Sequence, residues 1–274
     1  MVDLHIHTNN SDGDFTTEEV LALIKKIGVN VFSITDHDNI TSCEEIEKLK
    51  LPEKIEYIKG VEFSSKTDKY NCHILGYKID NTNEQIINEC NKIRQRKINR
   101  LKQVCEMIKI EHGINITEVE KQEILNRKGT IGRIDLCRLL IIKGYGTRKE
   151  IYDKYLSNVD GIETHRSNIE TITDIIKKSN GISILAHPKK IEKEYKINIE
   201  DIIEKFIEKG IDGIEAYNSV HTLNDVKRYL SLAKKYNLLV TGGSDFHGQT
   251  HPERQLGYTS TQKIKINSSN IKLR

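Results

Sequence analysis

The sequence predicts an α/β fold: a barrel-like array of strands and helices interrupted by a helical insertion. Three observations carry the prediction. Seven short segments along the 274 residues read as buried strands. Most are followed by an amphipathic helix-like stretch, the alternation that gives a parallel sheet. Between about residues 83 and 165 the alternation stops and only helical periodicity remains.

The first strand, Val2–His7, contains "DLHIH", which alternates apolar and polar residues with the period of a strand. Residues two apart on a strand share a face, so His5 and His7 present their rings side by side while Leu4 and Ile6 face the other way. Taken alone, such a pair suits a solvent-facing edge strand better than a metal site. A helix over Thr17–Ile27 follows. The next strands are Val31–Thr35, Tyr57–Phe63 and Cys72–Tyr77, and then "NEQIINECNKIRQRKINRLKQVCEMIK" reads as one long basic helix. Ile182–Ala186 is the fifth strand. Helices over Asp201–Glu208 and Asn224–Lys235 precede the sixth and seventh strands, Gly213–Ala216 and Leu238–Thr241. Seven parallel strands in one domain predict barrel-like closure, with the chemistry at the strands' C-terminal ends. The expected organisation is 1–82 and 166–274 for the barrel and 83–165 for the insertion, with the polar tail after Tyr258 packed along the barrel surface.

Hydrophobic residues make up 36% and charged residues 30% of the chain, the balance of a globular protein. No apolar run approaches the roughly 20 residues a bilayer span requires. The polar start shows no leader pattern, and the five cysteines form no CxxC pair, so a reduced, cytoplasmic protein is expected. Net charge is +3, but residues 92–150 hold fifteen Lys and Arg against seven Asp and Glu, which leaves the remainder acidic. A basic segment beside an acidic one suggests an anionic ligand gripped by the first and metal held by the second.

Ligand-type residues recur at strand ends. The first strand brings His5, His7 and then Asp12; the second Asp36, His37 and Asp38; the third Glu62; the fourth His73; the fifth His187; the seventh Asp245 and His247. A single buried histidine is usually a satisfied core residue, and a single aspartate after a strand is usually a helix cap. Six strand ends together do not fit those readings, because burying this many ionisable groups is costly unless they bind something positive. A metal site follows.

The motifs "HIHTNNSDG", "ITDHD", "GVEFSS", "HILGY", "ILAHP", "GIEAYNSVH" and "TGGSDFHG" stand in the order seen in the PHP (polymerase and histidinol phosphatase) family. The chain resembles that family over nearly its whole length, and within it the branch acting on nucleoside 3′,5′-bisphosphates and RNA 5′ ends. The resemblance implies a TIM-like distorted (β/α)7 barrel with a helical insertion domain and a trinuclear centre. His5, His7, Glu62 and Asp245 would hold the first metal; Glu62, His73 and His187 the second; Asp12, His37 and His247 the third. Such mixed shells suit three divalent ions, Mn²⁺ or else Fe²⁺ or Zn²⁺. Asp36 reads as an orienting residue and Asp14 as a turn or cap. The implied reaction is hydrolysis of a phosphomonoester by metal-activated hydroxide, with no covalent enzyme intermediate.

For substrate, Arg133 in "GRIDLCRLL" is the foremost candidate for gripping a phosphate, since a guanidinium matches phosphate geometry. Arg133 and His221 are the candidate catalytic residues beside the metal ligands, and Arg138, Arg148 and Arg166 are further substrate-binding candidates. One departure stands out: the branch has Pro-His after that Gly-Arg, where this chain has Ile134-Asp135. The expected partner is a small anionic phosphoester, a nucleotide or short RNA. The basic insertion lacks the interleaved aromatics of a base-stacking platform, and neither double-stranded DNA nor a membrane is expected. Alternatives are a cyclic sugar phosphate or histidinol phosphate as substrate, an amidohydrolase, which would lack the Asp12/His37/His247 site, and a non-catalytic scaffold, which would lack ligands.

Overall fold

The computed structural model describes residues 1–126, 129, 131–157, 166–259 and 264–265. The chain divides into two compact units, Met1–Cys90 with Arg166–Arg274, and Asn91–His165.

The first unit opens with β1 (Val2–Ile6), α1 (Thr17–Ile27), β2 (Val31–Ile34), α2 (Thr41–Glu47), β3 (Glu56–Tyr57), β4 (Gly60–Lys66) and β5 (Asn71–Tyr77). The unit boundary falls inside α3 (Glu84–His112). The second unit continues with α4 (Glu118–Leu125), α5 (Arg133–Ile142) and α6 (Arg148–Ile151). The chain then returns through β6 (Ser167–Asn168), α7 (Ile169–Lys178), β7 (Ile182–Leu185), α8 (Pro188–Tyr195), α9 (Ile203–Glu208), β8 (Gly213–Asn218), α10 (Leu223–Lys235) and β9 (Leu239–Gly243), ending in the short pair β10 (Tyr258–Thr259) and β11 (Ile264–Lys265). The rest of the expected surface tail lies outside the described residues. Among the described residues no helix is long and apolar enough to cross a membrane.

Local signals account for these boundaries. In α1, Thr16 and Glu19 form a capping box, Val20, Leu21 and Ile24 face the core, and Gly28 closes the helix at φ 80°, a left-handed conformation that suits glycine. The strand expected at Tyr57–Phe63 divides into β3 and β4, which belong to different sheets. A Cβ on Gly60 would sit 2.2 Å from Ser33 Oγ, so the chain passes close against β2 as it leaves one sheet for the other.

The strands form one sheet of order β1-β2-β3 and another of order β6-β4-β5-β7-β8-β9. Two expectations are corrected here. The sheet is not wholly parallel: β5 runs antiparallel to both β4 and β7. Only the four residues 67–70 separate β4 from β5, enough for a hairpin but far short of a parallel crossover. Nor do the described strands close into a barrel. The two sheets meet through isolated parallel bridges, Ile6 with Phe246 at one seam and His37 with Glu62 at the other. Asp38 (φ 54°) and Asp245 (φ 55°) stand beside these seams in left-handed backbone, which turns the chain away before a ladder can extend. Apolar clusters pack the first unit, with Leu4, Leu75, Tyr77 and Ile184 in one and Ile24, Phe32, Ile34 and Ile46 in another. The second unit has its own core, including Ile108, Leu136, Leu140 and Leu156.

Candidate metal centre

Both seams deliver ligand-type side chains to one place. Strand β1 carries His5, with His7 and Asp12 in the loop beyond it. His37 follows β2, Glu62 lies on β4, His187 follows β7, and Asp245 and His247 follow β9. His73 is the third residue of β5 rather than near its end. Because β5 is reversed, that early position faces the same region, opposite Ser64 on β4. Cross-seam backbone bonds hold the loops: Asp245 N–H to His5 O at 2.9 Å, His7 N–H to Phe246 O at 2.9 Å, and Asp38 N–H to Glu62 O at 2.9 Å.

Among the described residues, three groups of potential ligand atoms each lie within 4.8 Å: His5, His7, Glu62 and Asp245; His37, Glu62 and His73; and His7, Asp12, His37 and His247. The first coincides with the set expected for one metal. The others differ in detail, since His37 and His7 each belong to two groups. His187 joins through Glu62, whose Oε1 is 2.9 Å from both His187 Nε2 and His73 Nδ1. Glu62 Oε2 faces His5 Nε2 at 3.1 Å, His7 Nε2 at 3.2 Å and His37 Nδ1 at 3.2 Å. One fully buried carboxylate is therefore the centre on which five imidazoles converge. Asp12 and His73, at 34% and 22% side-chain exposure, are the most open members, so the nest opens on their side.

The residues fit divalent cations. His7 Nε2 and Asp12 Oδ1 are buried without a hydrogen bond, although His7 Nε2 has Asp245 Oδ1 at 3.3 Å and Asp12 Oδ1 has His247 Nε2 at 3.3 Å. Lone-pair atoms that approach without bonding one another are arranged as ligands to a shared ion. Imidazole and carboxylate donors suit Mn, Fe or Zn.

The charge environment is lopsided without such ions. Burial pushes the carboxyl of Glu62 up, but His37, His5 and His73 more than reverse this and hold it well below the usual range. Asp245 is likewise driven low against burial, by Lys190 and His5. Burial opposes charge on His7, yet Asp245 and Glu62 raise it to about 9, whereas burial takes His37, whose ring is 4.6 Å away, down to about 3.

Further residues hold this nest. Asp36, expected to orient its neighbours, accepts from Thr8 N–H at 2.7 Å, Thr8 Oγ1 at 2.7 Å and Ser11 Oγ at 2.5 Å, and also from Ser42. It pins the loop that carries His7 and Asp12. Lys190 Nζ and Arg254 Nη1 reach Asp245 Oδ2 at 2.9 and 3.1 Å. Glu215 contacts His5 and the His187 backbone. Sequence reasoning passed over Lys190, Arg254 and Glu215. Only Glu215 had a visible signal, an acid within the otherwise buried strand "GIEAYN".

The substrate candidates are placed as follows. In the second unit, exposed Arg133 begins α5 and donates from Nη1 to Leu156 O at 3.0 Å. Arg138 and Arg148 are also exposed. Asp135, the unexpected residue, accepts from Gly132 N–H at 3.0 Å and so closes the N-terminus of α5, with Arg138 Nη1 3.9 Å from its other oxygen. In the first unit, half-buried Arg166 stands just before β6, and its charge partly offsets the effect of burial on the Cys72 thiol. His221 is buried; its Nδ1 is 2.9 Å from Ala216 O, and its ring packs edge-on against Tyr229. None of these residues belongs to the three ligand groups.

The pattern of the PHP domain matches residues 3–184. Over 94% of its length the chain is 26% identical to a 3′,5′-nucleoside bisphosphate phosphatase of Chromobacterium violaceum, covering 91% of that protein. Over 93% of its length it is 28% identical to the 5′-3′ exoribonuclease Rnm of Escherichia coli K12, covering 87% of that protein. A solved structure from Bifidobacterium adolescentis superposes with a TM-score of 0.77 at 24% identity, covering 98% of this chain and 93% of that one, a likeness of fold.

Proposed function

From the premise that this chain belongs to the PHP domain family and is one of its metal-dependent phosphoesterases, we propose that it removes phosphate from a nucleotide. The substrate class we favour is the nucleoside 3′,5′-bisphosphates, cleaved at the 3′-phosphate, with short 5′-phosphorylated RNA as a second class. The observation that carries the reading is the convergence of five imidazoles on buried Glu62, with Asp12 and Asp245 beside it.

In this reading His5, His7, Glu62 and Asp245 hold one ion, Glu62, His73 and His187 a second, and Asp12, His37 and His247 a third, with Mn²⁺ the favoured metal. Bound there, such ions supply Lewis-acid polarisation of a phosphoryl oxygen and acidify the attacking water. The protein's own part is to fix the ligands. Asp36 holds the Asp12 loop, and Glu62 spans the groups with its two oxygens. Lys190 and Arg254 balance the charge of Asp245, leaving its other oxygen toward His5 and His7. The helical insertion acts as a substrate-binding cap. Arg133 is the principal phosphate-gripping residue, its guanidinium retaining donors beyond the one given to Leu156; Arg138, Arg148 and Arg166 have lesser parts. The burial of His221 against Tyr229 fits a positioning role better than proton transfer to substrate.

A hydrolysis screen in Mn²⁺, read by phosphate release and by product mass, tests the proposal, using adenosine 3′,5′-bisphosphate, short 5′-phosphorylated RNA, histidinol phosphate and a cyclic sugar phosphate. The bisphosphate is expected to be turned over best, and Arg133→Ala to lower kcat/KM on it by roughly tenfold or more. Preference for the cyclic sugar phosphate or histidinol phosphate would overturn the substrate assignment. An unchanged kcat/KM in Arg133→Ala would remove that residue from the site.

A further inference from the structure

The carboxylate of Glu215 lies on β8, wholly buried, and three donors meet on its two oxygens. His5 Nδ1 is 2.9 Å from Oε1. The backbone N–H of His187 donates to Oε2 at 2.7 Å, and Asn218 Nδ2 donates to the same oxygen at 2.9 Å. Two of these donors have no alternative role. The His187 N–H is main chain, and the Asn218 amide is oriented by Val220 N–H, which donates to its Oδ1 at 3.1 Å. The Oε2 position must therefore accept. His187 itself stands at φ 26°, ψ 62°, a strained conformation for a residue with a side chain, and the bond to Glu215 is one of its restraints.

We infer that Glu215 is the residue that sets the tautomer of His5, keeping the ring proton on Nδ1 so that Nε2 is presented to the centre, while the same carboxylate anchors the turn that delivers His187. The inference rests on the metal-centre reading above. Its physical content is that a carboxylate is required at this position. A glutamine must place its carbonyl oxygen at the Oε2 position to serve the His187 and Asn218 donors. Its NH₂ then faces His5 Nδ1 and can bond only if that nitrogen accepts. The ring proton is thereby moved to Nε2, which lies 3.1 Å from Glu62 Oε2 and 3.5 Å from Asp245 Oδ1, and the nitrogen facing the centre no longer has a lone pair to offer. Glutamine has the same size and shape, so the change acts through a proton rather than through packing.

The test is Zn²⁺ binding by the full-length protein, wild type against Glu215→Gln, followed by competition with a chromophoric chelator and by ¹⁵N NMR of histidine-labelled protein, with His5→Ala used to assign the ring. Wild type is expected to bind Zn²⁺ and to show His5 protonated at Nδ1 and metal-shifted at Nε2. Glu215→Gln is expected to bind Zn²⁺ about 10–100-fold more weakly at one site, to lose the metal-shifted Nε2 signal of His5, and to keep the thermal midpoint of the metal-free protein. Equal affinity and the same His5 tautomer in the two proteins would overturn the inference while leaving the metal centre standing. Wild-type protein that bound no divalent ion would overturn the metal-centre reading, and this inference with it. Should Glu215→Gln fail to fold, the wild-type spectrum alone decides, because a His5 bound to metal through Nδ1 contradicts the assignment.

Discussion

Asp225 shows how much a single carboxylate can tie together outside the ligand nest. It closes the capping box of α10 with Thr222 and pairs with Lys189 at 2.8 Å and Arg228 at 3.3 Å. Burial alone would raise its pKa, but Lys189 and Thr222 bring it down from 3.8 to about 2. An acid that is stronger in the folded than in the unfolded state stabilises the fold fully above its unfolded value, because the unfolded chain takes up the proton first. The contribution of Asp225 is thus present above pH 3.8 and is lost as pH falls toward about 2. Chemical denaturation of wild type and Asp225→Asn across that window should show a gap that narrows with acid; a pH-independent gap would contradict the assignment. At this scale the ligand-type residues were the most legible part of the sequence, because His and Asp at successive strand ends have no comfortable apolar explanation. Lys190 and Arg254 were not legible. Each sits in a stretch that looks like ordinary charged surface, and only the turn of the chain brings it to Asp245.

Among the elements, the seam between β1 and β9 is set by the absence of a side chain. A Cβ on Gly243 would lie 2.3 Å from both the Cβ and the backbone nitrogen of His5, contacts that rigid backbone cannot relieve. Gly243→Ala is expected to cost about 1–3 kcal/mol in a denaturant titration and to weaken metal binding with it, since β1 must shift and carry His5 along. Unchanged stability would mean that the seam is looser than described. Element existence and boundaries were largely readable. α1 was anticipated at its observed limits, because its cap and apolar face agree. Strand direction was not readable, since a two-residue period is the same forwards and backwards. The short spacing between β4 and β5 was the available signal for a hairpin. The left-handed aspartates beside the seams, which stop the sheets from closing, leave no mark in hydrophobic periodicity at all.

At the level of the whole molecule, the second unit departs from and returns to the first at adjacent points. Glu89 in α3 accepts a hydrogen bond from Ser167 Oγ in β6, and Ser65 Oγ in turn donates to Ser167 O at 3.0 Å. Replacing residues 91–165 with a short Gly/Ser linker should therefore leave a folded first unit that still binds divalent metal, while kcat/KM on a nucleoside bisphosphate falls by roughly 100-fold. Calorimetry and phosphate release measure the two halves of that statement, and loss of folding would show that the first unit depends on the second. The alternation of strands and helices made the first unit visible in the sequence, and its interruption marked the second. The part played by the arginines of the second unit was not legible, because an arginine on a helix looks the same in sequence whether it faces phosphate or water. The adjacency of the two junctions has an evolutionary consequence. A segment inserted between two stretches that already touch each other can lengthen, shrink or be exchanged at little entropic expense, about 0.6 kcal/mol for each doubling of its length. Selection can then rework one segment while the residues around Glu62 stay as they are, so descendants sharing the same histidine and aspartate motifs can come to cleave quite different molecules.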